Sequence, residues 1–354
     1  MTTHPPRDSE LIDVRPDEQL TLTRLEPWLR DHLPHTDGAL TVSQFGGGHA
    51  NLTYLVRFGN HEYVLRRPPL GPVTPTAHDM KREHRVLSRL GEAYPLAPTS
   101  HALCEDPAVL GVDFHVMERR LGFVIRRRLP PDIGRDPARV RRLGEMMVDS
   151  LADLHRVDPR VVGLDDLGKP AGFISRQLAG WTSRWAATGR TLSSVETLVA
   201  WLHDAPPTLQ TTTLLHNDYQ LENILVDTTD PTMPVAVLDW DMCTRGDPLM
   251  DLGYLLNGWV ELDDDPAWRR LTPMPDPEPG YLTRREIVDR YAQRTGFDVG
   301  RAHWYHVFGV FKLLVILQQI YIRFQRGQTQ DQRFEILGER VEGLATKGLT
   351  LVDR

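Results

Sequence analysis

The hydrophobic pattern of this chain changes once, near residue 118, and the change limits the folds that are available to it. Before it, β-branched and aromatic residues and alternating polarity predict antiparallel strands at 40–45, 51–58, 61–67, 100–105 and 112–118. After it, apolar residues recur at helical spacing and predict helices at 136–157, 172–187, 192–204, 248–260, 284–295 and 301–325. We therefore predict an α+β fold, with a small lobe built on an antiparallel sheet and a larger, mostly helical lobe.

The lobe boundaries follow from the same pattern. Residues 1–16 are polar and contain proline, so we expect a disordered lead. Residues 17–33 have helical apolar spacing, with Asp17 near the start of the predicted helix. With one further helix at 76–94, the small lobe would span 17–118 and the larger lobe 119–354, which suits a chain of 354 residues.

Composition limits the partners that we expect. The formal net charge is −7, whereas binding to nucleic acid or an anionic membrane depends on many Lys and Arg contacts, so we expect neither. Cys104 and Cys243 lie far apart and in no metal-binding motif, which favours a reducing cytoplasm over a disulfide framework or a zinc site. We see no signal peptide, and Phe308–Ile322 is too short and too polar for a membrane span. We expect a cytoplasmic monomer or homodimer that acts on a small molecule.

Three side chains with oxygen atoms follow apolar runs in the second half of the chain. In LLHNDYQLENILVD, Asp218 and Asn223 are five residues apart, and Asp239 ends the later run VAVLD, which should pair with ILVD as a hairpin. Phosphoryl transfer needs one carboxylate near the attacking hydroxyl and oxygen ligands for Mg²⁺. A turn or a helix cap would explain any one of these residues, but their joint spacing favours phosphoryl transfer.

These segments carry a resemblance to a known family. LLHNDYQLENILVD and VAVLDWDMCTRGDPLMDLGYLL resemble the catalytic motifs of the aminoglycoside phosphotransferase and choline kinase-like superfamily. FGGGHANLTYLV, YVLRRPP and FKLLVILQQIYIRFQRG are similar to the subgroup attached to some acyl-CoA dehydrogenases. Over roughly residues 25–330, the resemblance implies a bilobal protein-kinase-like fold that uses ATP or GTP with Mg²⁺.

The resemblance also implies roles for single residues. Asp218 matches the catalytic Asp, and Asn223 and Asp239 match the metal ligands. His216 matches a residue that packs within the catalytic loop. Asp241 would reach metal or substrate, or be structural. Two further acidic residues would brace the loop and the start of the next helix: Asp247 and Asp251. The chain departs from the superfamily at Asn217, where Gly is usual, and at Gln220 and Glu222, where nearer relatives often have Arg and Asp. These departures bear on the substrate more than on activity.

The first lobe should cover the nucleotide. Gly46, Gly47 and Gly48 lie between two strands, where glycine lets backbone N–H groups approach a phosphate, although a plain hairpin turn would also explain them. Arg66 stands where this fold usually has the Lys that contacts the phosphates, and Glu83 is its expected partner, unless Glu83 is an ordinary solvated helix residue.

A hinge for the purine is expected at VMERR, residues 116–120. Backbone groups of Glu118 and Arg119 would hydrogen-bond the base, and Met117 would line the pocket or belong to the core.

The acceptor is less constrained than the nucleotide. Aromatic residues of the helical lobe would line its site or simply fill the core, and we consider Trp259, Trp304, Tyr305 and Tyr321. Arg323, within an apolar helix, should need an anionic partner, either a substrate group or an Asp of the chain. The acidic stretch 260–266 would suit a cationic aminoglycoside or be a solvated loop, whereas the subgroup resemblance suggests a hydroxylated metabolite such as a hydroxyacyl compound.

Three functions follow from these patterns. The first is a small-molecule O-phosphotransferase that uses a nucleotide and Mg²⁺. The alternative is a nucleotide-binding pseudokinase or regulatory module, which Arg66 mildly favours. The third, a metal-dependent phosphohydrolase, is disfavoured by the glycine segment and the hinge-like VMERR.

Overall fold

The computed structural model describes residues 10–47, 51–71, 78–272, 274–328 and 332–353, and the chain forms two compact units. Unit 1 contains the chain up to Val124 together with Pro159–Asp165 and Asn223–Cys243. Unit 2 contains the remaining stretches: Ile125–Asp158, Asp166–Glu222 and the chain from Thr244. The units are therefore interleaved in sequence, whereas we had expected a single boundary after residue 118.

Unit 1 is built on a six-stranded antiparallel sheet. Its strands are β1 (Leu11–Ile12), β2 (Leu40–Phe45), β3 (Leu52–Phe58), β4 (His61–Arg67), β5 (Ser100–Cys104) and β6 (Phe114–Glu118). Their spatial order is β1-β2-β3-β4-β6-β5. The predicted strands of this region are all present, and their bounds differ from the predicted ones by at most two residues.

The first residues of unit 1 differ most from the prediction. Strand β1 lies within the expected disordered lead, where Leu11 and Ile12 pair with the end of β2. Helix α1 (Leu22–His32) begins after Thr21, because Pro16–Glu18 forms a separate 3₁₀ turn and Gln19 is extended. Asp17 is therefore not at the start of the helix. Leu25 and Leu29 of α1 pack into the core against the sheet.

Two further helices belong to unit 1. Helix α2 (Met80–Leu90) begins at Asp79, whose side chain accepts a hydrogen bond from the N–H of Arg82, and α3 (Pro107–Leu110) follows β5. Helix α2 carries Glu83 among its buried residues, on the face that packs towards β5 and β6.

A second sheet explains why residues 223–243 belong to unit 1. Strands β9 (Ile224–Val226) and β10 (Pro234–Val237) form the predicted hairpin, and β9 also pairs with β7 (Phe123–Val124). The hairpin is thereby joined to the chain that leaves the large sheet.

Unit 2 is mostly helical, as predicted. Its helices are α4 (Pro131–Gly134), α5 (Pro137–His155), α6 (Phe173–Ala187), α7 (Ser193–Asp204), α8 (Leu249–Gly258), α9 (Pro266–Arg269), α10 (Arg284–Thr295), α11 (Ala302–Gln325) and α12 (Leu337–Val352). Its two strands, β8 (Thr213–Leu215) and β11 (Thr244–Gly246), pair antiparallel. Asp136 caps α5 through the N–H groups of Ala138 and Arg139. The expected long loop 263–283 contains the short α9, and α12 was not predicted.

Helix α11 forms the centre of unit 2. Its buried side chains pack mainly against α8 and α12. By length and composition alone it could cross a membrane, with a mean hydropathy of 1.6 in its most apolar window, of which 44% is buried in the structure. The expectation that this segment is too short and too polar for a membrane span therefore does not hold for the complete helix, whose buried residues lie between Ala302 and Gln318.

Candidate active site

Asp218 lies in unit 2, in the loop that follows β8. His216, directly after β8, is fully buried, and its Nδ1 accepts a hydrogen bond of 3.3 Å from the N–H of Asp218. His216 thus packs within the loop, as its sequence motif implied. The amide of Gln220 lies 3.3 Å from both carboxylate oxygens of Asp218.

Asp251 on α8 holds this loop in place. Its buried carboxylate accepts hydrogen bonds from the N–H groups of His216 at 2.6 Å and Asn217 at 2.8 Å. Nε2 of His155 lies 3.3 Å from the same carboxylate. Burial would raise the pKa of Asp251, but the hydrogen bond and charge of His155 outweigh it and lower the pKa. The loop-bracing expectation for Asp251 therefore matches its contacts. Asp247 accepts the N–H of Leu249 at 3.0 Å, as a residue at a helix start does.

Two contacts of this loop involve residues that we did not select from the sequence. Tyr254, one helical turn after Asp251 on α8, lies near enough to the Asp218 carboxylate to interact with its charge. Burial, followed by the charge of Asp218, raises the pKa of the Tyr254 hydroxyl well above its usual value. Nζ of Lys312 on α11 donates a hydrogen bond of 2.7 Å to the carbonyl oxygen of Asn217. A lone Lys inside an apolar helix was the available sequence signal for the second contact.

In unit 1, the structure brings Asn223 and Asp239 to the same end of the β9–β10 hairpin. Asn223 ends a 3₁₀ turn directly before β9, and its carbonyl accepts the N–H of Leu238 at 2.8 Å. Asp239 follows Leu238 and has a φ of 68°, which is the left-handed region. A carboxylate and an amide, both suitable ligands for Mg²⁺, are therefore adjacent in the hairpin register.

Arg66, Glu83 and Asp239 form one cluster in unit 1, in which Arg66 and Glu83 are buried and Asp239 is half-buried. Nε of Arg66 donates to Glu83 at 3.0 Å, and Nη2 of Arg66 donates to Asp239 at 2.7 Å. The expected ion pair of Arg66 with Glu83 is therefore present, and Glu83 is not a solvated helix residue, since it is fully buried. Because guanidinium is planar and has several donors, one Arg can serve both carboxylates.

Glu83 has two further partners that the sequence did not indicate. Nε2 of His115 on β6 lies 3.1 Å from one carboxylate oxygen, and the N–H of Trp240 donates to the other at 3.2 Å. Burial would raise the pKa of Glu83, but Arg66 and His115 outweigh it and lower the pKa to about 2. Glu83 is therefore held as a carboxylate between α2, β4 and the residue after Asp239.

Asp241 lies in the same unit and carries the opposite pKa shift. Burial, together with the charges of Asp239 and Glu83, raises the pKa of Asp241 to about 7. Nδ2 of Asn51, at the start of β3, donates to Asp241 at 3.2 Å. Asn51, which lies shortly after the glycine segment, is thus hydrogen-bonded to Asp241 in the segment after β10.

The glycine segment and the expected hinge are connected by a contact between the side chains that precede and form them. The guanidinium of Arg119 lies 4.9 Å from the ring centroid of Phe45, which directly precedes Gly46. Gly46 donates its N–H to the carbonyl of Glu10, and a Cβ there would lie 3.3 Å from Ile12, so the close approach of β1 also favours glycine. Gly47 belongs to the same turn, whereas Gly48 lies outside the described residues.

The expected hinge needs one correction. The N–H of Glu118 donates to the carbonyl of Thr99 at 2.9 Å, because β6 continues beside β5 at this point, so this N–H is not the purine donor that we expected. Met117 is 7% exposed and pairs with β4, as a residue of the core does.

The residues that we expected to line the acceptor site lie in the core or on the surface of unit 2. Trp259, Trp304 and Tyr305 are buried core residues, and the two indoles donate to the carbonyls of Leu282 and Leu202. Tyr321 is half-buried and lines a cavity between α11 and α12. Arg323 is exposed near the end of α11, so the expectation that it is poorly solvated and needs an anionic partner is wrong.

The acidic stretch 260–266 is engaged by one cation of its own unit. Arg284 pairs with Glu261 at 2.5 Å and with Asp264 at 2.6 Å. Asp265 caps α9 through the N–H of Ala267. These carboxylates therefore have structural partners, which weakens the expectation of a site for cationic aminoglycosides.

A mostly apolar cavity of unit 2 lies beside the catalytic loop. It is lined by Gln220, Glu222, Tyr254, Asn257, Met274 and Leu313, among others. The side-chain oxygen of Asn257 is buried and, within the described residues, has no hydrogen-bond partner. A buried amide without a partner favours a ligand that supplies one.

No group of three or more His, Cys, Asp or Glu suited to a metal occurs among the described residues. Mg²⁺ in nucleotide sites commonly takes one or two carboxylates and completes its shell with phosphate and water oxygens. The pair Asn223 and Asp239 therefore fits Mg²⁺ bound together with a nucleotide better than a metal held by protein alone.

The chain is similar in sequence and in fold to known phosphotransferases. A sequence profile of the phosphotransferase enzyme family matches residues 41–301. Acyl-CoA dehydrogenase family member 10 of Mus musculus is 31% identical over 324 residues, which cover 91% of this chain but only 30% of that protein. This chain thus spans less than a third of the length of that relative.

Solved structures share the fold. A candidate aminoglycoside phosphotransferase of Ralstonia eutropha is 29% identical, with a TM-score of 0.80 and coverage of 95% of this chain and 99% of that one. The GDP complex of aminoglycoside 2'-phosphotransferase-IIIa has a TM-score of 0.61 over 93% of this chain and 99% of that one, and its 13% identity shows the fold alone. The resemblance and the kinase-like fold expected from the sequence are confirmed.

Proposed function

Because this chain belongs to the phosphotransferase enzyme family, we propose that it transfers the γ-phosphoryl group of ATP or GTP to a hydroxyl group of a small molecule. The observation that carries this proposal is the cluster in which Arg66 contacts Glu83 at 3.0 Å and Asp239 at 2.7 Å. A buried cation held next to an expected metal ligand is the arrangement that nucleotide phosphates require.

The proposed reaction needs one proton acceptor. The acceptor hydroxyl oxygen attacks the γ-phosphorus, the bond from that phosphorus to the β–γ bridging oxygen breaks, and the nucleoside diphosphate leaves with the electron pair. Asp218 orients the hydroxyl and accepts its proton. The amide of Gln220 holds the Asp218 carboxylate, and Asp251 fixes the backbone of the loop.

Mg²⁺ would be held by Asp239 and Asn223. Their oxygen donors and their adjacent positions in the hairpin suit this ion. When bound, it neutralises charge on the phosphate oxygens. Arg66 would contact the phosphates from a position fixed by its ion pair with Glu83.

For the acceptor, we propose a hydroxylated metabolite with an apolar portion. The cavity beside the catalytic loop has mainly apolar walls, and the buried oxygen of Asn257 would accept a hydrogen bond from the ligand. Hydroxyacyl compounds fit this description. Aminoglycosides fit it less well, because Glu261 and Asp264 are already paired with Arg284.

The test is ADP release with Mg²⁺-ATP and a panel of hydroxyl compounds, including hydroxyacyl-CoAs and aminoglycosides. Asp218→Ala should abolish turnover and leave nucleotide affinity nearly intact, because Asp218 handles the proton and not the nucleotide. Asp227→Ala is the control: Asp227 lies in the hairpin turn after β9, where its carboxylate bonds only the turn.

Two outcomes would contradict the proposed transfer reaction. Undiminished turnover in folded Asp218→Ala would remove Asp218 from the catalytic role. Mg²⁺-nucleotide binding by the unmodified protein, without turnover on any acceptor, would favour the pseudokinase alternative.

A further inference from the structure

Lys312 is a charged residue in the apolar centre of α11, with 9% of its surface exposed. Its Nζ lies 4.6 Å from the ring centroid of Tyr254 and 5.9 Å from that of Trp181, and it donates to the carbonyl of Asn217 at 2.7 Å. Burying a Lys costs free energy unless the cation has partners. Packing alone therefore does not explain a lysine at this position, because a leucine would pack there without the free-energy cost of burying a charge.

The contacts of Lys312 complete the support of the catalytic loop. The N–H of Asn217 donates to Asp251 on α8, while the carbonyl of the same residue accepts from Lys312 on α11. The two peptide groups on either side of the Asn217 Cα are thus held from two helices, one from α8 and the other from α11. The ring beneath the Lys312 cation belongs to Tyr254, whose hydroxyl is influenced by the nearby charge of Asp218.

The charges around Lys312 come from three elements. Asp218 of the loop and Asp251 of α8 favour its protonated form, while Arg184 of α6 opposes it. Burial is the largest influence and lowers the pKa of the Lys312 ammonium. Two carboxylates thus face one buried cation, which keeps the charges of the loop compensated.

We propose that Lys312 is a positioning residue for phosphoryl transfer: through the carbonyl of Asn217 and the ring of Tyr254, it fixes the Asp218 carboxylate in its reactive position. This inference rests on the proposed function. It assigns a role to FKLLVILQQIYIRFQRG, the late motif that carries part of the family resemblance but contains none of the expected catalytic groups. Lys312 touches neither nucleotide nor acceptor in this role, and it acts through the loop.

A second buried lysine of unit 2 offers a matched control. Lys347 on α12 is 2% exposed, donates to the carbonyl of Asn257 at 2.9 Å, and lies 6.0 Å from the ring centroid of Trp268. It therefore shares burial, a carbonyl partner and an aromatic neighbour with Lys312, but it does not contact the catalytic loop. Methionine at either position keeps the length of the side chain and removes the charge and the donor.

The experiment compares kcat and nucleotide KM, measured by ADP release with Mg²⁺-ATP, for Lys312→Met, Lys312→Arg and Lys347→Met. Lys312→Met should lower kcat on the order of a hundredfold, the effect of a displacement of about 1 Å, and leave the nucleotide KM nearly unchanged. Lys312→Arg, which keeps the cation and a donor, should recover most of kcat. Lys347→Met should lose stability and, because Lys347 holds the backbone of Asn257 in the proposed acceptor cavity, raise the acceptor KM while it loses little kcat.

Amide hydrogen exchange, which does not depend on turnover, distinguishes a local loss of loop support from poor folding of the whole variant. Amide hydrogen exchange at His216 and Asn217 should become faster in Lys312→Met, because their loop loses one of its two supports, and it should stay unchanged in Lys347→Met. Tyr254→Phe keeps the ring and removes the hydroxyl, and it should lower kcat without faster exchange at these amides.

The outcomes separate the two claims. If the unmodified protein releases ADP and Lys312→Met retains its kcat, or both methionine variants lose kcat equally, the positioning role is overturned and the proposed function stands. If the unmodified protein releases no ADP with any acceptor, the proposed function fails, and the positioning role fails with it.

Discussion

Asn217 and Asp239 both have a φ of 68°, although neither is glycine. Asn and Asp are the residues other than glycine that adopt this left-handed conformation most readily, because their short side chains bond the local backbone. Asn217 stands where the resembling superfamily usually has Gly. The departure is therefore a change of side chain at a backbone conformation that both residues accept.

A pair of substitutions at position 217 tests this explanation. Asn217→Gly should retain turnover and nearly all stability, whereas Asn217→Val should lower the free energy of unfolding by about 2 kcal/mol, because a β-branched residue is strained at positive φ. Urea denaturation of both variants measures the difference. Equal stability of the two would show that the backbone at this position is not restrained as described.

Among the secondary-structure elements, α2 carries the buried carboxylate of Glu83. Glu83 connects α2 to Arg66 on β4, to His115 on β6 and to Trp240 after β10. A buried charge left without its partner destabilises a protein strongly, so Glu83 is a structural residue as well as a support for the nucleotide site.

The lowered pKa of Glu83 gives a prediction for the pH dependence of stability. Its folded-state pKa of about 2 lies below the usual value of 4.5, so the ionised carboxylate stabilises the fold above that usual value, and this stability is lost as the pH falls towards 2. Glu83→Gln should therefore lower the free energy of unfolding by about 3 kcal/mol or more at pH 7. The difference from the unmodified protein should shrink below about pH 4.5.

Denaturant unfolding between pH 7 and pH 3 measures this difference. Glu92→Gln is the control, since Glu92 follows α2 and is exposed. A constant difference between Glu83→Gln and the unmodified protein across this range would contradict the assigned ion pairs.

The same elements show what the sequence could predict. Alternation and helical spacing are local signals, and they predicted the strands from 40 to 118, the cap of α5 and the β9–β10 hairpin. The pairing of Arg66 with Glu83 came from the family resemblance. The roles of His115, Tyr254 and Lys312 were missed because each depends on a contact between elements that are distant in sequence, and a single sequence carries no direct signal for such contacts.

Each of the two compact units is built from three stretches of sequence, and these stretches alternate along the chain. Asp218 belongs to unit 2 and Asn223 to unit 1, although only five residues separate them. The sequence predicted one boundary, because the pattern changes once. The sequence could not predict that β9 pairs with β7, about 100 residues earlier. Because of this pairing, the hairpin that carries Asn223 and Asp239 belongs to unit 1.

We propose that Asp239 holds a Mg²⁺ ion together with the nucleotide, and calorimetric measurement of the affinity for ATP with and without Mg²⁺ tests this proposal. The unmodified protein and Asp218→Ala should bind ATP more tightly with Mg²⁺. Asp239→Asn, which tolerates the left-handed backbone but lacks the charge, should lose at least tenfold of that Mg²⁺-dependent gain, or about 1.4 kcal/mol. Equal ATP affinity of the unmodified protein with and without Mg²⁺, or an unchanged Mg²⁺ effect in Asp239→Asn, would contradict the account.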